Sequence, residues 1–373
     1  MTYLDYNATA KVRPEAAAAV AHALEVGGNP SSVHGGGRAA RAIVEDARAA
    51  VAALVGVVPG SVTFVSGGTE ANALAIESAE AAKVERIIIS AGEHDAVVEN
   101  ARQSGLPVEV MPIDADGVAD LAWLAAELVK PGKAMVCLML ANNETGVIQP
   151  VSDAAVLVRA ADGWLHVDAV QAAGKIAIDF TALGADTMAL SSHKIGGPQG
   201  IGALVAGTRA TLARRLHGGG QERGRRGGTE NVPGIAGFGA AAAVAVKEID
   251  ALQAQAAWRD ACAERVKAAR AVVLGEGAAR LPQTLCFAGE GFSSELQVMT
   301  LDLSGVMVSA GAACSSGKVK ASRVVEAMGR ADIASHAIRV SGGWATTEED
   351  WIKCGDAWLQ AWERFGARRR EVA

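Results

Sequence analysis

The chain has 373 residues, which is enough for two domains, and half of its residues are apolar. Its net charge is −6, which argues against a general nucleic-acid binder, because such proteins are usually basic. Aromatic residues make up only 4%, so the core is predicted to consist of Ala, Val, Leu and Ile, as in helices packed on a parallel sheet.

Membrane and cysteine signals point to the cytoplasm. The first residues carry neither a basic nor an apolar signal-peptide pattern, so we expect no secretory signal. The longest apolar stretch, residues 231–246, contains Pro233 and falls short of the roughly 20 residues that a membrane span needs. The five cysteines form no CxxC pair and predict no disulfide framework, and the seven histidines show no metal-ligand spacing.

Short β-branched runs alternate with Ala-rich helical segments from residue 62 to residue 206. The predicted strands are 62–65, 86–90, 108–111, 135–140, 164–167, 187–190 and 202–206. The predicted helices between them include 70–82, 95–103, 119–129 and 152–161. This alternation predicts an α/β fold with a mostly parallel seven-stranded sheet sandwiched by helices. Ligands of such sheets bind beyond the carboxyl ends of the strands.

The second half of the chain predicts a smaller α+β domain. A glycine-rich break at 218–228 is followed by a long helical pattern at 237–273. Further strands are predicted at 283–287, 306–309 and 337–340, and further helices at 295–303, 322–328 and 348–365. We expect a large domain over 1–255 and a small domain over 256–373, with roughly the first 15 residues packing on the small domain.

Two of the predicted strands end in an anion-binding signal and in an acid. Gly68 and Thr69 follow strand 62–65 and open a helix, where backbone N–H groups can hold an anion, although an ordinary turn with a Thr cap fits equally well. Asp168 follows strand 164–167 and could hold a ring nitrogen protonated, bind a metal or cap a helix. Neither signal is specific alone.

Two other strand ends carry an amine and an imidazole. Lys194 lies in a loop of small residues after strand 187–190, where desolvation would favour imine formation with an aldehyde, although most lysines are simply exposed. His94 follows strand 86–90 and could stack on a flat ring or be an ordinary loop histidine. An anion cradle, an acid, an amine and an aromatic base on one sheet together match the needs of pyridoxal phosphate.

The predicted small domain offers a thiol and a guanidinium. Cys314 lies in a run of small residues near Lys318, which favours a reactive thiolate, although an incidental exposed thiol is the alternative. Arg339 could hold a substrate carboxylate or pair with an acidic side chain. The basic tract 214–226 lacks aromatic residues and is interpreted as a phosphate or subunit loop rather than an RNA contact. The remaining cysteines are predicted to be packing residues: Cys137, Cys262, Cys286 and Cys354.

Motifs spread over nearly the whole chain carry a family resemblance. They lie in order at 3–9, 28–34, 66–70, 93–94, 142–146, 166–171, 191–198, 217–229, 309–316 and 338–341. On these segments the chain resembles the cysteine desulfurases of the NifS/IscS type, in the class V aminotransferase group of fold-type I pyridoxal phosphate enzymes. It departs from the family pattern at Gly343-Trp344-Ala345, where Gly-Arg-Phe is frequent, and at Ala10, where a second Thr is common.

The resemblance implies separate roles for the site residues. Lys194 is expected to link to the cofactor aldehyde, His94 to stack on the ring and assist proton transfer, and Cys314 to accept sulfur. Asp168 is expected to pair with the ring nitrogen and Gln171 with the ring hydroxyl. The remaining expected residues bind the cofactor phosphate (Gly68, Thr69, Ser191, His193, and Thr229 from the neighbouring subunit of a homodimer) or orient cofactor and substrate (Asn29, Asn143 and Arg339).

The implied activity converts L-cysteine to L-alanine and leaves a persulfide on Cys314, for iron–sulfur cluster assembly or tRNA thiolation through an acceptor protein such as an iron–sulfur scaffold. No metal, membrane or direct nucleic-acid contact is expected. A selenocysteine lyase or an aminotransferase would keep the cofactor and change the reaction. A sulfur-carrier scaffold that has lost the cofactor is an alternative of another class.

Overall fold

The computed structural model describes residues 1–311 and 321–372, with side chains described to residue 367. The described strands are β1 (Thr2–Tyr3), β2 (Val62–Val65), β3 (Arg86–Ser90), β4 (Val108–Met111), β5 (Ala134–Cys137), β6 (Trp164–Asp168), β7 (Thr187–Ser191), β8 (Gly202–Ala206), β9 (Val272–Val273), β10 (Thr284–Ala288), β11 (Val306–Met307), β12 (Ser309–Ala310) and β13 (Ala337–Ser341).

The helices of the same residues flank these strands. They are α1 (Pro14–Val26), α2 (Gly35–Leu54), α3 (Gly68–Glu77), α4 (Asp95–Gln103), α5 (Leu121–Leu128), α6 (Val151–Ala160), α7 (Phe180–Leu183), α8 (Val232–Gln253), α9 (Gln255–Ala268), α10 (Ser294–Leu303), α11 (Arg323–Ala327) and α12 (Glu348–Val372).

The central sheet has seven strands in the order β2-β8-β7-β6-β5-β3-β4. Strand β8 runs antiparallel to both of its neighbours, and the other pairs are parallel. The prediction of a mostly parallel seven-stranded sheet between helices is therefore confirmed. The carboxyl ends of β2, β3, β6 and β7 consequently lie at one edge of the sheet, which is the edge where ligands of such folds bind.

Apolar cores cover both faces of this sheet. One core joins β-strand residues to α1, α2, α6 and α8, and the other joins them to α3 and α4. On α2 the spacing of Ala40, Val44, Ala47 and Val51 places all four on one buried face, as expected for an amphipathic helix. A Cβ at Gly239 of α8 would come 2.5 Å from Ala47 Cα, so glycine is needed for this close helix contact.

A second, four-stranded antiparallel sheet has the order β12-β13-β10-β9. Helices α9, α10 and α12 pack around it, and Trp351 and Trp358 of α12 are buried in its core. Strand β1 pairs with β11, and Asp5 pairs with Ser341, so the first residues of the chain lie against this second sheet. The chain then returns to the central sheet through Asn7.

The structure differs from the sequence prediction at several boundaries. The helical pattern at 237–273 divides into α8 and α9 around Ala254, and the strand at 306–309 divides into β11 and β12. Helices α1 and α2 lie before residue 62, where no element was predicted, although the apolar residues of α2 recur with helical spacing. By length and composition α8 could cross a membrane, but its buried residues pack against α1 and α2, as in a core helix.

Candidate active site

A cavity of about 240 Å³ lies at the carboxyl edge of the central sheet. Nine predicted site residues line it together: Gly68, Thr69, His94, Asn143, Asp168, Gln171, Ser191, His193 and Lys194. They come from the ends of β2, β3, β6 and β7 and from the segment after β5. Residues that the strand-end rule singled out and residues that the family resemblance implied therefore line one cavity, although they span more than a hundred positions of the sequence.

The start of α3 forms one end of the cavity, and this end is suited to bind an anion such as a phosphate. The N-terminal N–H groups of this ten-residue helix face the cavity wall that Ser191 and His193 complete. A Cβ at Gly68 would come 2.8 Å from Val170 Cγ2, so only glycine allows this close approach of the helix to the strand ends. Burial and the charges of Lys194 and Lys175 lower the pKa of His193 to about 4, so its ring is neutral at pH 7.

Asp168 is held by a chain of directed hydrogen bonds. Its Oδ2 accepts from Asn72 Nδ2 at 2.8 Å, and its Oδ1 accepts from the Val170 N–H at 2.9 Å. Because the Asn72 amide donates to Asp168, its Oδ1 faces His166 Nε2 at 2.8 Å, and that nitrogen must carry the proton. Burial lowers the pKa of His166 to about 4, so the ring stays neutral.

The hydrogen bonds on the other side of the His166 ring are consistent with the same proton positions. His166 Nδ1 lies 2.9 Å from Thr187 Oγ1, which in turn accepts from Trp164 Nε1 at 3.3 Å. The Thr187 hydroxyl can therefore donate to the free nitrogen of His166. These hydrogen bonds are mutually consistent, and they leave both oxygens of Asp168 as acceptors beside the cavity.

Lys194 is the amine of the cavity. Its Nζ donates to the carbonyl oxygens of Asn7 at 2.5 Å and Ala8 at 2.8 Å. Burial, with the charge of Arg339, lowers the pKa of Lys194 to about 8, although Asp5 and Asp168 oppose the shift. A lysine with this pKa has a substantial neutral, nucleophilic fraction near neutral pH.

His94 caps α4 and exposes its ring at the cavity. Its Nδ1 accepts from the Ala96 N–H at 3.1 Å, which leaves Nε2 for a ligand. Behind it, Glu93 is buried and accepts from the Met139 N–H at 2.7 Å. Burial and the charge of Asp168 raise the pKa of Glu93 well above its usual range. Glu93 therefore lies behind the cavity wall as a buried carboxyl whose charged form is disfavoured, whereas Asp168 borders the cavity itself.

Arg339 and Asn143 join the second sheet to the cavity. Arg339 pairs with Asp5 Oδ1 at 2.8 Å and donates to the Asn143 carbonyl oxygen at 3.2 Å. Its Nε is buried and has no partner among the described residues. A buried guanidinium N–H without a partner costs free energy unless a ligand supplies an acceptor, which fits the predicted carboxylate-binding role.

Among the predicted residues that the structure describes, Arg339, Asn29 and Thr229 do not line this cavity, and Arg339 reaches it only through the Asn143 carbonyl oxygen. Asn29 is exposed in a turn, where its Oδ1 accepts from the Ser31 N–H. Thr229 is exposed beside a separate cavity of about 80 Å³. Cys314 lies outside the described residues, so its role stays a prediction. The other four cysteines are buried, as predicted: Cys137, Cys262, Cys286 and Cys354.

The sequence reasoning missed four polar residues that hold the site together: Asn7, Asn72, His166 and Lys175. Two of them carry a local signal. Asn72 lies four residues after Gly68 on the same helix face, and His166 shares a strand face with Asp168. Asn7 has no such signal, because it reaches the cavity through the pairing of the N-terminal segment with the second sheet.

Comparisons with known proteins agree with this geometry. The family model described as aminotransferase class-V matches residues 2–352. A cysteine desulfurase of Cereibacter sphaeroides is 43% identical, with 93% of this chain and 92% of that protein covered. The cysteine desulfurase IscS of Dictyoglomus turgidum is 37% identical, with 93% and 91% covered. The X-ray structure of a NifS-like protein from Rickettsia africae has a TM-score of 0.89 at 30% identity, with 97% and 99% covered.

Proposed function

Because the chain belongs to the aminotransferase class-V family and is a cysteine desulfurase of the NifS/IscS type, we propose that its strand-end cavity removes sulfur from L-cysteine with the aid of pyridoxal phosphate. The observation that carries the proposal is the meeting of Lys194, Asp168 and the start of α3 in one cavity. An amine, a carboxylate and an anion cradle are the three groups that this cofactor requires.

The residues of the cavity fit pyridoxal phosphate. Gly68 and Thr69, with Ser191 and His193, offer neutral donors to a phosphate at the start of α3. Asp168 offers a fixed carboxylate to a protonated ring nitrogen, and Lys194 offers an amine to the aldehyde. When bound, the cofactor supplies an electron sink for the charge that develops on the substrate.

Three side chains of the protein have separate roles in the proposed reaction. Lys194, in its neutral form, would be the amine that holds the cofactor aldehyde, and the same amine is placed to hold a proton beside the substrate. His94 keeps Nε2 available for proton transfer, because Nδ1 is occupied by the Ala96 N–H. Arg339 positions the substrate carboxylate through its free Nε, while Asp5 and Asn143 hold its other nitrogens.

Cys314 is proposed as the sulfur acceptor. Its thiolate attacks the sulfur of bound cysteine, an S–S bond forms as the substrate C–S bond breaks, and the carbon product leaves as L-alanine after protonation. The balance is L-cysteine plus a Cys314 thiol giving L-alanine plus a Cys314 persulfide, with no external oxidant. This role rests on the sequence and on the family.

The wider setting of the reaction is also part of the proposal. The persulfide is passed to an acceptor protein for iron–sulfur cluster assembly or tRNA thiolation, in the cytoplasm. Thr229 is proposed to complete the phosphate site of a second copy in a homodimer, because it is exposed and lies away from the cavity of its own chain.

The test is a visible spectrum of the protein with pyridoxal phosphate, before and after L-cysteine, with alanine quantified. Borohydride reduction followed by peptide mapping is expected to label Lys194. Cys314→Ser is expected to keep the bound, coloured cofactor and to lose sulfur transfer. If Cys314→Ser desulfurates cysteine at the normal rate, the thiol assignment is wrong. Glutamate-dependent transamination without alanine and sulfide formation would instead identify an aminotransferase.

A further inference from the structure

A buried lysine lies behind the cavity and is not one of the predicted site residues. Lys175 is 4% exposed, and its Nζ donates to Gln171 Oε1 at 2.7 Å and to Asn7 Oδ1 at 3.2 Å. Lys175 borders a different cavity, of about 230 Å³, whereas Gln171 borders the candidate active site. Lys175 therefore does not line the active site, and it acts on a ligand there through the residues that it contacts and through its charge.

The Asn7 side chain has one possible orientation. Its Nδ2 donates to the Asn143 carbonyl oxygen at 3.2 Å and to Thr284 Oγ1 at 3.0 Å. A flipped amide would place Oδ1 against the carbonyl oxygen of Asn143, which cannot donate. Asn7 Oδ1 must therefore face Lys175, and this fixes one of the two acceptors around the lysine.

The Gln171 side chain is fixed by the same argument. Its Nε2 donates to the Asn7 carbonyl oxygen at 2.9 Å, and its Oε1 accepts from Lys175. A flipped amide would bring Oε1 against that carbonyl oxygen and the NH2 group against the lysine amine. Only one of the two hydrogens on Nε2 is used by Asn7, so the other remains available to a ligand of the cavity.

This arrangement holds in both protonation states of Lys175. Burial and the charges of Lys194 and Arg339 lower the pKa of Lys175 well below its usual range. A neutral amine still has two N–H groups, and the two oxygens of Asn7 and Gln171 accept both of them. The orientation of Gln171 is therefore independent of whether Lys175 is charged.

We propose that Lys175 is a positioning residue that locks the Gln171 amide, so that Gln171 presents an N–H and not a lone pair to the ring hydroxyl oxygen of pyridoxal phosphate. The inference deepens the proposed function and rests on it. Without Lys175, Gln171 Oε1 loses its buried donor, and only the Asn7 carbonyl oxygen still favours this orientation of the amide. The orientation is then held less firmly, and an amide that turns brings its oxygen toward the same ring oxygen, where two acceptors repel each other.

The experiment compares two cofactors on the full-length apoprotein. Pyridoxal phosphate and its 3-deoxy analogue, which lacks the ring hydroxyl, are titrated into wild type, Lys175→Met, Gln171→Leu and the double variant, and dissociation constants are measured by equilibrium dialysis. Lys175→Met is expected to weaken pyridoxal phosphate binding about tenfold, the value of one hydrogen bond, and to leave analogue binding within about twofold of wild type. The double variant is expected to bind no more weakly than Gln171→Leu.

Two results would overturn the inference. An equal loss of affinity for both cofactors in Lys175→Met would show that Lys175 supports packing only. Unchanged affinity for both would show that the Gln171 amide keeps its orientation without Lys175. Should Lys175→Met not fold, Lys175→Ala carries the same expectations. Failure of the proposed function is seen separately in the wild type, as an absence of borohydride labelling at Lys194 or of alanine formation.

Discussion

The strand-end cavity and the exposed segments that carry Asn29 and Thr229 differ in how much of their structure one chain supplies. In the cavity, Asp168, Gln171 and Lys194 each have defined protein partners. Asn29 and Thr229 are exposed, and neither lines that cavity. The difference indicates that the central sheet brings the chemical groups together within one chain, whereas the exposed segments do not reach the cavity of their own chain. This is the basis for the proposal that Thr229 acts in a second copy.

The segment 217–229, which carries Thr229, is nevertheless anchored by a buried ion pair. Arg48 of α2 donates to both carboxylate oxygens of Glu222, at 2.7 Å and 2.8 Å, and Glu222 also accepts from the Phe64 N–H at 2.9 Å. Both side chains are 4% exposed. This contact ties the segment to β2, so that Thr229 is presented from a fixed base.

Breaking this anchor is expected to have the largest effect. Arg48→Met leaves the buried Glu222 carboxylate without its cation, which is expected to lower the free energy of unfolding by about 3–5 kcal/mol in urea denaturation. Arg48→Met with Glu222→Gln is expected to recover part of the loss, because the glutamine oxygen can still accept from Phe64. Arg102→Met, which breaks an exposed pair with Glu99, is the control, with an expected change of less than about 1 kcal/mol. Equal losses in the two single variants would contradict the buried anchor.

Removing the charge of Asp168 tests the cavity side of the comparison. Asp168→Asn can still accept a hydrogen bond but cannot stabilise a protonated ring nitrogen, so turnover of L-cysteine is expected to fall about 10²–10³-fold. Asp186→Asn is the matched control, because Asp186 is buried directly before β7 and accepts from the Leu165 N–H without bordering the cavity. Its turnover is expected to stay near wild type. Similar turnover in the two variants would contradict the proposal that the Asp168 carboxylate stabilises a protonated ring nitrogen.

Thr229 tests whether a second copy completes the site. Thr229→Ala is expected to weaken cofactor binding about tenfold, because a hydroxyl bond to a phosphate is lost. Mixing the Thr229→Ala protein with the Lys194→Ala protein, and measuring activity at limiting cofactor, shows whether Thr229 acts on the site of its own chain or on that of its partner. If Thr229 acts on the partner's site, each mixed dimer has one intact site, and about a quarter of wild-type activity is expected after random exchange of subunits. Activity no higher than the sum of the separate variants would place Thr229 on its own chain's site.

The sequence predicted the residues that follow from strand order and missed those that follow from long-range packing. Asp168 and Lys194 were predicted because parallel strands end at a common edge. Lys175 lies only four positions after Gln171, but its importance depends on Asn7, which is 168 positions away. Asn7 reaches the cavity because the N-terminal segment pairs with the second sheet, and two-residue strands such as β1 carry no periodic signal.

The smallest expected effect concerns the pH dependence of Lys194. The neutral amine is the nucleophile, so the rate at which apoprotein links pyridoxal phosphate follows the neutral fraction. With its pKa lowered from 10.5 to about 8 by burial and by Arg339, Lys194 is expected to react faster with rising pH up to about 8 and then to level off. An ordinary lysine would continue to accelerate to about pH 10.4.

Arg339→Met sharpens this test, because it removes a cation that lowers the pKa of Lys194 and frees Asp5, whose charge raises it. Both changes favour the protonated amine, so the inflection is expected to move to higher pH by a fraction of a unit to about one unit. Arg323→Met, which breaks an exposed pair with Asp95, is the control and is expected to keep the wild-type inflection. Stopped-flow absorbance gives the rates, and the ratio of variant to wild type cancels the titration of the cofactor itself. An unchanged inflection in Arg339→Met would contradict a contribution of the Arg339 charge to the low pKa of Lys194. Burial would then be the cause of the low pKa.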